Sequence, residues 1–324
     1  MRLRLLLGVL AAIGWTVAAN GQGFPNRSIT LVVSFAPGGL TDIPARILAP
    51  AMQQRLGQPV VVENKAGASG VVGGSYVVHS APDGYTLLVS GISEVQNFYY
   101  IHVPYKVLTD FSPVGMVAVG PPLVLIVNGK SPFKTLSDLI AYAKANPAKT
   151  NVSTTGPATS PAIAVSQLNS LAGIKMVAVP YSGSGPAATA VARGDVQAGF
   201  TFYPSAEGLA ASGQVRVLAV ASAHRMAILP NVPTMEELGF RNFDHDAFVG
   251  LLAPRETPAS AIDVLNKALN QSIRSPDFAK RLEPFGMTVP APPNSPVQYG
   301  QFLAKQIAYQ GELAKLPGHL QQSH

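Results

Sequence analysis

The sequence predicts an α/β protein of two lobes, each a mostly parallel sheet flanked by helices. Three observations carry that expectation. Short β-branched runs alternate with helical stretches over residues 29–89, and the rhythm returns from Val152 to Phe202; such alternation implies parallel strands joined by crossover helices. The chain has 324 residues, 47% of them hydrophobic, enough for a large core and long enough for two domains. Two continuous apolar strands, Leu123–Val127 and Phe248–Ala253, stand where the chain would leave the first lobe and return to it. They are the expected hinge crossings. Lobe one then comprises residues 24–122 and 247–324, and lobe two residues 123–246.

Residues 1–23 are expected to lie outside the fold. Arg2 and Arg4 make a positive start, Leu5 to Ala19 is apolar apart from Thr16, and Ala18, Ala19 and Gly21 offer a small-residue cleavage site. This is the form of a secretory signal peptide. The apolar run falls short of the ~20 residues a membrane span needs. The mature chain is therefore expected to be exported and soluble.

The elements follow in order. Ile29–Val33 reads as a buried strand. Ile43, Ile47, Leu48 and Met52, with Arg46 and Gln53 between them, suit an amphipathic helix. Pro59 to Asn64 is a second strand, Gly67-Ala68-Ser69-Gly70 a turn and Val71 to Ser80 a helix. Ala81-Pro82-Asp83-Gly84 is a turn signal, and Tyr85 to Val89 the third strand. Met116–Val119 and Leu123–Val127 are separated by Gly120-Pro121-Pro122, which excludes one membrane helix across Val114 to Val127. Ser137 to Ala145 is a helix capped by Thr135 or Ser137. Strands are expected from Val152, at Met176–Pro180, Val196–Phe202 and Val215–Val220. Helices Ala259–Arg274, Pro276–Leu282 and Val297–Leu316 close the chain, with Pro290 to Pro296 as a surface link.

One stretch organises the rest: Phe35-Ala36-Pro37-Gly38-Gly39-Leu40-Thr41-Asp42. It joins a strand to a helix through two glycines, with Thr41 or Asp42 as the N-cap. Gly38 and Gly39 can take φ > 0 and let a ligand approach the backbone. Such a turn aims free N–H groups and a positive dipole end at one point, which makes an anion site; a tight turn with glycines for backbone reasons alone uses the same residues. Thr155-Gly156-Pro157-Ala158-Thr159-Ser160 before Pro161, and Tyr181-Ser182-Gly183-Ser184-Gly185 before Pro186, repeat the design with hydroxyls. Ligands collect at the carboxyl ends of strands in open α/β sheets. The candidate ligand-binding residues are Ala36, Gly38, Gly39, Thr41, Thr155, Gly156, Ser160, Tyr181, Ser182, Gly183, Ser184 and Tyr203.

Composition narrows the partners. Without Arg2 and Arg4 the formal charge falls from +6 to +4, and charged residues make up 12% with no Lys/Arg run. A nucleic-acid surface is thus unsupported, while a modest positive balance suits small anions. There is no cysteine, and the six histidines show no metal-ligand spacing. Asp244-His245-Asp246 could hold an acid/base group but reads as a solvated loop. No G-x-S-x-G elbow is present. The sequence predicts no enzyme, cofactor or metal. The alternative is a nucleotide-binding α/β enzyme using the Gly183-Ser184-Gly185 loop, because Gly183 to Ala188 fits G-x-G-x-x-A after a strand. The acidic residue about 20 positions on is missing, since Asp195 comes too early and position 203 is Tyr.

The motifs together resemble the exported solute-binding receptors of tripartite tricarboxylate transporters, the Bug family. They are Phe35 to Gly39 with Thr41-Asp42, Gln58 to Asn64, Pro82-Asp83-Gly84-Tyr85-Thr86-Leu87-Leu88, Val179-Pro180-Tyr181 with Gly183 to Pro186, Leu229 to Thr234, and Gly250 to Pro254. The resemblance covers Phe24 to about Leu303. It implies a periplasmic, type II-like Venus-flytrap clamshell that holds a carboxylated metabolite between its lobes through backbone N–H groups, hydroxyls and water. It also implies docking to the transporter's membrane subunits; the chain itself is expected to be a monomer. Two positions depart from the pattern: Thr201 stands where an aspartate is common, and Ala162 where a histidine often follows the Ser-Pro of the second loop. Only Asp42 is acidic among the loops, so the expected ligand carries one or two carboxylates and no free amine, or else is a small neutral amide.

Overall fold

The computed structural model describes residues 23–243 and 245–315. Residues 1–22 of the expected signal peptide, Asp244, and Leu316 of the expected closing helix lie outside the described residues. The strands are β1 (Ile29–Val33), β2 (Val60–Asn64), β3 (Thr86–Gly91), β4 (Phe111–Val119), β5 (Leu123–Asn128), β6 (Thr150–Thr154), β7 (Met176–Pro180), β8 (Ala198–Phe202), β9 (Val215–Ala221) and β10 (Phe248–Pro254). The helices are α1 (Asp42–Leu56), α2 (Val71–Val78), α3 (Ile92–Tyr100), α4 (Val107–Asp110), α5 (Leu136–Ala145), α6 (Ser160–Ala172), α7 (Ser184–Arg193), α8 (Glu207–Ala211), α9 (Ala259–Ile273), α10 (Pro276–Leu282) and α11 (Pro296–Leu313).

The strands form two five-stranded sheets, ordered β2-β1-β3-β10-β4 and β7-β6-β8-β5-β9. In each, three neighbouring strands are parallel, and a strand that enters from the other sheet runs antiparallel to both its neighbours. The expectation of mostly parallel sheets is thereby sharpened to two mixed sheets of one design. Parallel pairs need a crossover, and α1, α2, α6 and α7 supply it. Strand ends that share a direction bring their following loops to one edge of each sheet.

The chain passes between the sheets through Gly120–Pro122 and through residues 222–247. These segments run side by side: Gly120 N–H donates to the Ala247 carbonyl at 2.8 Å, and Leu123 N–H to His245 at 3.3 Å. The expectation that β5 and β10 themselves are the flexing crossings is corrected. Both strands are paired on two sides and buried along almost their whole length, so bending them would break two ladders at once. One boundary also moves, and one helix is added. α7 starts at Ser184, not at Pro186, because Gly183 in extended backbone can serve as its cap. α3, which the sequence does not announce, follows β3 without a break; the Glu94 side chain accepts the Gly91 N–H at 2.7 Å and so starts the helix directly on the strand.

Helices α9 and α11 pack on β4, and α11 also packs on α3. Tyr299 of α11 is fully buried, with its hydroxyl 2.8 Å from Ser90 Oγ. Gly250 on β10 lies against that ring, and a Cβ there would overlap the Tyr299 hydroxyl and Cζ. Gly250→Ala should therefore cost about 1–3 kcal/mol of folding stability by overpacking. Urea unfolding of the mature chain measures it, and an unchanged midpoint would contradict this packing.

Candidate ligand-binding cleft

After β1 the chain turns through Ser34–Thr41 into α1, and Asp42 shapes that turn. Its carboxylate accepts the Gly38 N–H at 2.8 Å, Asn64 Nδ2 at 2.8 Å and Arg46 Nε at 2.9 Å. Burial pushes the carboxyl up, but the bonds from Arg46, Gly38 and Asn64 outweigh it and hold the group below its ordinary value. Asn64 also donates to the Phe35 carbonyl at 2.9 Å, so the end of β2 braces the loop at both its limbs. The expectation of a capping side chain is corrected. Thr41 holds the cap position without a side-chain bond, and Asp42 reaches back to Gly38 instead of forward to a first-turn N–H. The Gly38 amide is thereby committed to Asp42. Of the two glycines, only Gly38 has positive φ, at 82°.

This loop faces the start of α7 in the other lobe. Ala36 N–H donates to the Ser182 carbonyl at 3.0 Å, and Ser205 Oγ donates to the Gly38 carbonyl at 2.8 Å. The approach is main chain to main chain. A Cβ on Gly183 would lie 2.9 Å from Ala36 N, and one on Gly185 2.7 Å from the Pro37 carbonyl oxygen. Gly39 is looser: a Cβ there would sit 3.7 Å from Ser184 Cβ. The G-x-G-x-x-A spacing thus has a packing reason, since its first two glycines make room for the opposite loop.

Around this contact the structure brings together most of the sequence-predicted residues. The Thr155 hydroxyl donates to Thr159 at 3.0 Å, and Thr159 to the Gly156 carbonyl at 2.8 Å, shaping the β6–α6 loop. Ser160 Oγ donates across the lobes to Gln96 Oε1 at 2.7 Å, and Gln96 passes the chain of bonds to Gln310 at 3.1 Å. Tyr100 packs with Ala158 and Ile163 in a small apolar cluster between the lobes. Tyr203 is placed differently, in the lobe-two core with Val191 and Met226; its neighbour Ser205 is the residue that reaches lobe one. Sequence reasoning did not single out Asn64, Ser69, Gln96 or Ser205 as site residues. Asn64 carried a signal as the polar end of a strand just before a glycine turn, whereas Gln96 and Ser205 carried none.

Between the facing loops lies a cavity of 470 Å³ lined by Phe35, Ser69, Thr155, Gly156, Tyr181 and Ser182, among others. Its lining holds no Asp, Glu, Lys or Arg. Larger hollows, of 700 Å³ beside α2 and 560 Å³ beside the crossings, lie away from the facing strand ends. Among the described residues, no group of three acidic or imidazole side chains is placed to hold a metal. His245 is not on a solvated loop: it is buried, 3.0 Å from Gln167 Oε1 and edge-on to Phe243.

Two α/β lobes of one topology, with strand-end loops meeting across a cleft, define a solute-binding protein. Residues 44–318 match the model of the tripartite tricarboxylate transporter family receptor. The chain is 39% identical over 280 residues to protein BugT of Bordetella pertussis, covering 85% of each. It superposes on the periplasmic binding protein BugD with a TM-score of 0.87 and 31% identity, covering 92% of this chain and 100% of that one. MatC from Rhodopseudomonas palustris, solved with bound malate, gives 0.84 and 33%, covering 90% and 100%. The chain belongs to the tripartite tricarboxylate transporter receptor family.

One carboxyl beneath the cleft is set apart by its surroundings. Glu94 is 4% exposed. Burial pushes it up to about 7, against the pull of the Gly91 amide and the nearby Ser34 hydroxyl. Below the unfolded value of 4.5 it is neutral in both states, and above about 7 the folded protein must bury a charge. Stability should therefore fall as pH rises from 4.5 to 7, by up to about 3 kcal/mol. Glu94→Gln keeps an acceptor for Gly91 and should flatten that fall, as thermal unfolding across pH would show.

Proposed function

We propose that the chain is a periplasmic receptor that captures a small carboxylated metabolite between its lobes and hands it to the membrane subunits of a tripartite tricarboxylate-type transporter. The observation that carries this reading is the charge-free cleft built from backbone and hydroxyl groups of four facing loops. A carboxylate held there takes its hydrogen bonds from main-chain N–H groups and hydroxyls near two helix starts, which favour negative charge. A carboxylate that accepts from several converging N–H and O–H donors needs no cation, and a buried ammonium would find no acidic partner in this lining. MatC's malate and the family's shared fold support the same ligand class. The division into residues 24–122 with 247–324 and 123–246, the signal peptide at 1–23, and a monomeric state complete the proposal.

The ligand favours the closed form by touching both lobes. The residues proposed for that contact are Ala36, Gly39 and Thr41 from lobe one, and Thr155, Gly156, Ser160 and Tyr181 to Ser184 from lobe two. Gly38 acts through Asp42, by shaping the loop. The nucleotide-enzyme reading predicts a different copurifying molecule. Native mass spectrometry should find a carboxylate on the purified protein; a nucleotide there would defeat the receptor reading.

Closure itself is testable through the glycines. Gly185 sits in the first turn of α7, where Ala is a better helix former. Its Cβ would strike Pro37 only when the lobes meet. Gly185→Ala should leave the melting temperature at or above the parent's while weakening carboxylate binding by about tenfold or more. Small-angle scattering should show compaction of the parent with ligand and less in the variant. Equal affinity and equal compaction would count against closure through this contact.

A further inference from the structure

The β2–α2 loop has the sequence of a simple turn, yet it holds two of the four non-glycine residues with positive φ among the described residues. Ala68 and Ser69, two successive residues with side chains, have φ of 45° and 56°, between Gly67 at 149° and Gly70 at 99°. Backbone of this kind is retained only where the surroundings impose it, and it gathers at binding sites. Here the surroundings are identifiable. Asn97 of α3, itself 1% exposed, donates Nδ2 to the Ser69 carbonyl at 2.8 Å. The loop is held in its strained form from below.

What that strain achieves is the position of one hydroxyl. Ser69 is 7% exposed, and its Oγ is buried without a hydrogen-bond partner among the described residues. Across the cleft stands Gly156 of the other lobe, at φ 126°, where a Cβ would overlap the Ser69 hydroxyl. Lobe two thus leaves a notch for this side chain. Ser69 and Gly156 both line the 470 Å³ cavity. A buried hydroxyl is costly without a partner, and it can both donate and accept. Beside the hydroxyls of Thr155 and Ser182, the side chains of Phe35, Ile101 and Tyr181 and the exposed Pro157 and Pro180 give the lining its apolar surface, and its ionisable side chains are His102, at the exposed rim, and the Tyr181 phenol.

We infer that Ser69 is a specificity-determining residue, whose hydroxyl hydrogen-bonds a polar oxygen at the far end of a ligand with an apolar body. The class is a carboxylate whose first end is held by the Ala36–Thr41 and Tyr181–Ser184 loops and whose far end carries an oxygen for Ser69. This inference rests on the carboxylate-receptor reading and narrows it. Short, polar-bodied acids such as malate and succinate fill the apolar walls poorly. Adipate, suberate and para-hydroxybenzoate have the required build.

The test is calorimetry on the ligand-free mature protein with malate, succinate, adipate, suberate, benzoate and para-hydroxybenzoate, repeated on Ser69→Ala and Ser69→Gly. Ser69→Gly relieves a left-handed backbone, so its melting temperature should rise by a few degrees. A purely structural Ser69 would let binding stay the same or improve alongside. The expected result is the opposite sign: a melting temperature at or above the parent's, with affinity for the best long or aromatic acid lowered about tenfold in both variants. Benzoate, which lacks a far-end oxygen, should lose little. Unchanged affinity in both variants, or a parent that prefers malate or succinate, overturns the inference while leaving the receptor reading intact. A parent that binds none of the six acids, yet shifts its melting temperature with a nucleotide, overturns both.

Discussion

A single contact between main chains governs the arrangement of this protein: the Ala36 N–H on the Ser182 carbonyl, with Gly183 and Gly185 pressed to Ala36 and Pro37. Backbones approach this closely only where side chains are absent. The glycines let the two loops meet face to face, and the meeting sets the spacing of the two lobes. The Ser205 bond to Gly38 and the Ser160 bond to Gln96 lie on the same interface and fix its register. The cavity beside them is what remains when the glycine contact is made.

That contact depends on a rigid lobe-one loop, and the rigidity is electrostatic. Asp42 gathers three donors and Asn64 adds a bond to Phe35, so a stretch with two glycines behaves as a fixed edge. The same economy recurs one strand away, where Glu94 takes the Gly91 N–H and starts α3 without any linker. From α3, Asn97 holds the Ser69 loop and Gln96 meets Ser160. Lobe one therefore presents its cleft face through two acidic side chains that serve the backbone and do not face the cavity. The acidic groups shape the site, and the cavity itself stays free of them.

In the proposed closure, the shared sheet order favours a hinge motion over a rearrangement. Each sheet accepts one reversed strand from the other side, so both crossings lie next to each other at one end of the cleft. The strands β5 and β10 are too fully paired to flex. Motion is left to Gly120–Pro122 and the longer return segment, where His245 is pinned to Gln167. Few residues need to change their backbone angles.

The sequence by itself determined the two lobes, their strands and the glycine loops at the strand ends, because those features are local. Period, β-branching and turn chemistry are written over a few residues, and Ile29–Val33, Leu123–Val127 and Thr135 are legible for that reason. It also located the facing loops Ala36–Thr41 and Tyr181–Ser184, through motif order. What the loops do to each other was decided only in three dimensions. Asp42 as a backward brace, the glycines as room for the opposite lobe, and the strained Ser69 opposite Gly156 are contacts between residues far apart in the chain or bound to a local geometry that several sequences could adopt. Helix α3 escaped notice for the same reason. Its start is a hydrogen bond from Gly91 to Glu94, and its value lies in Gln96 and Asn97 reaching elements that the sequence does not place beside them.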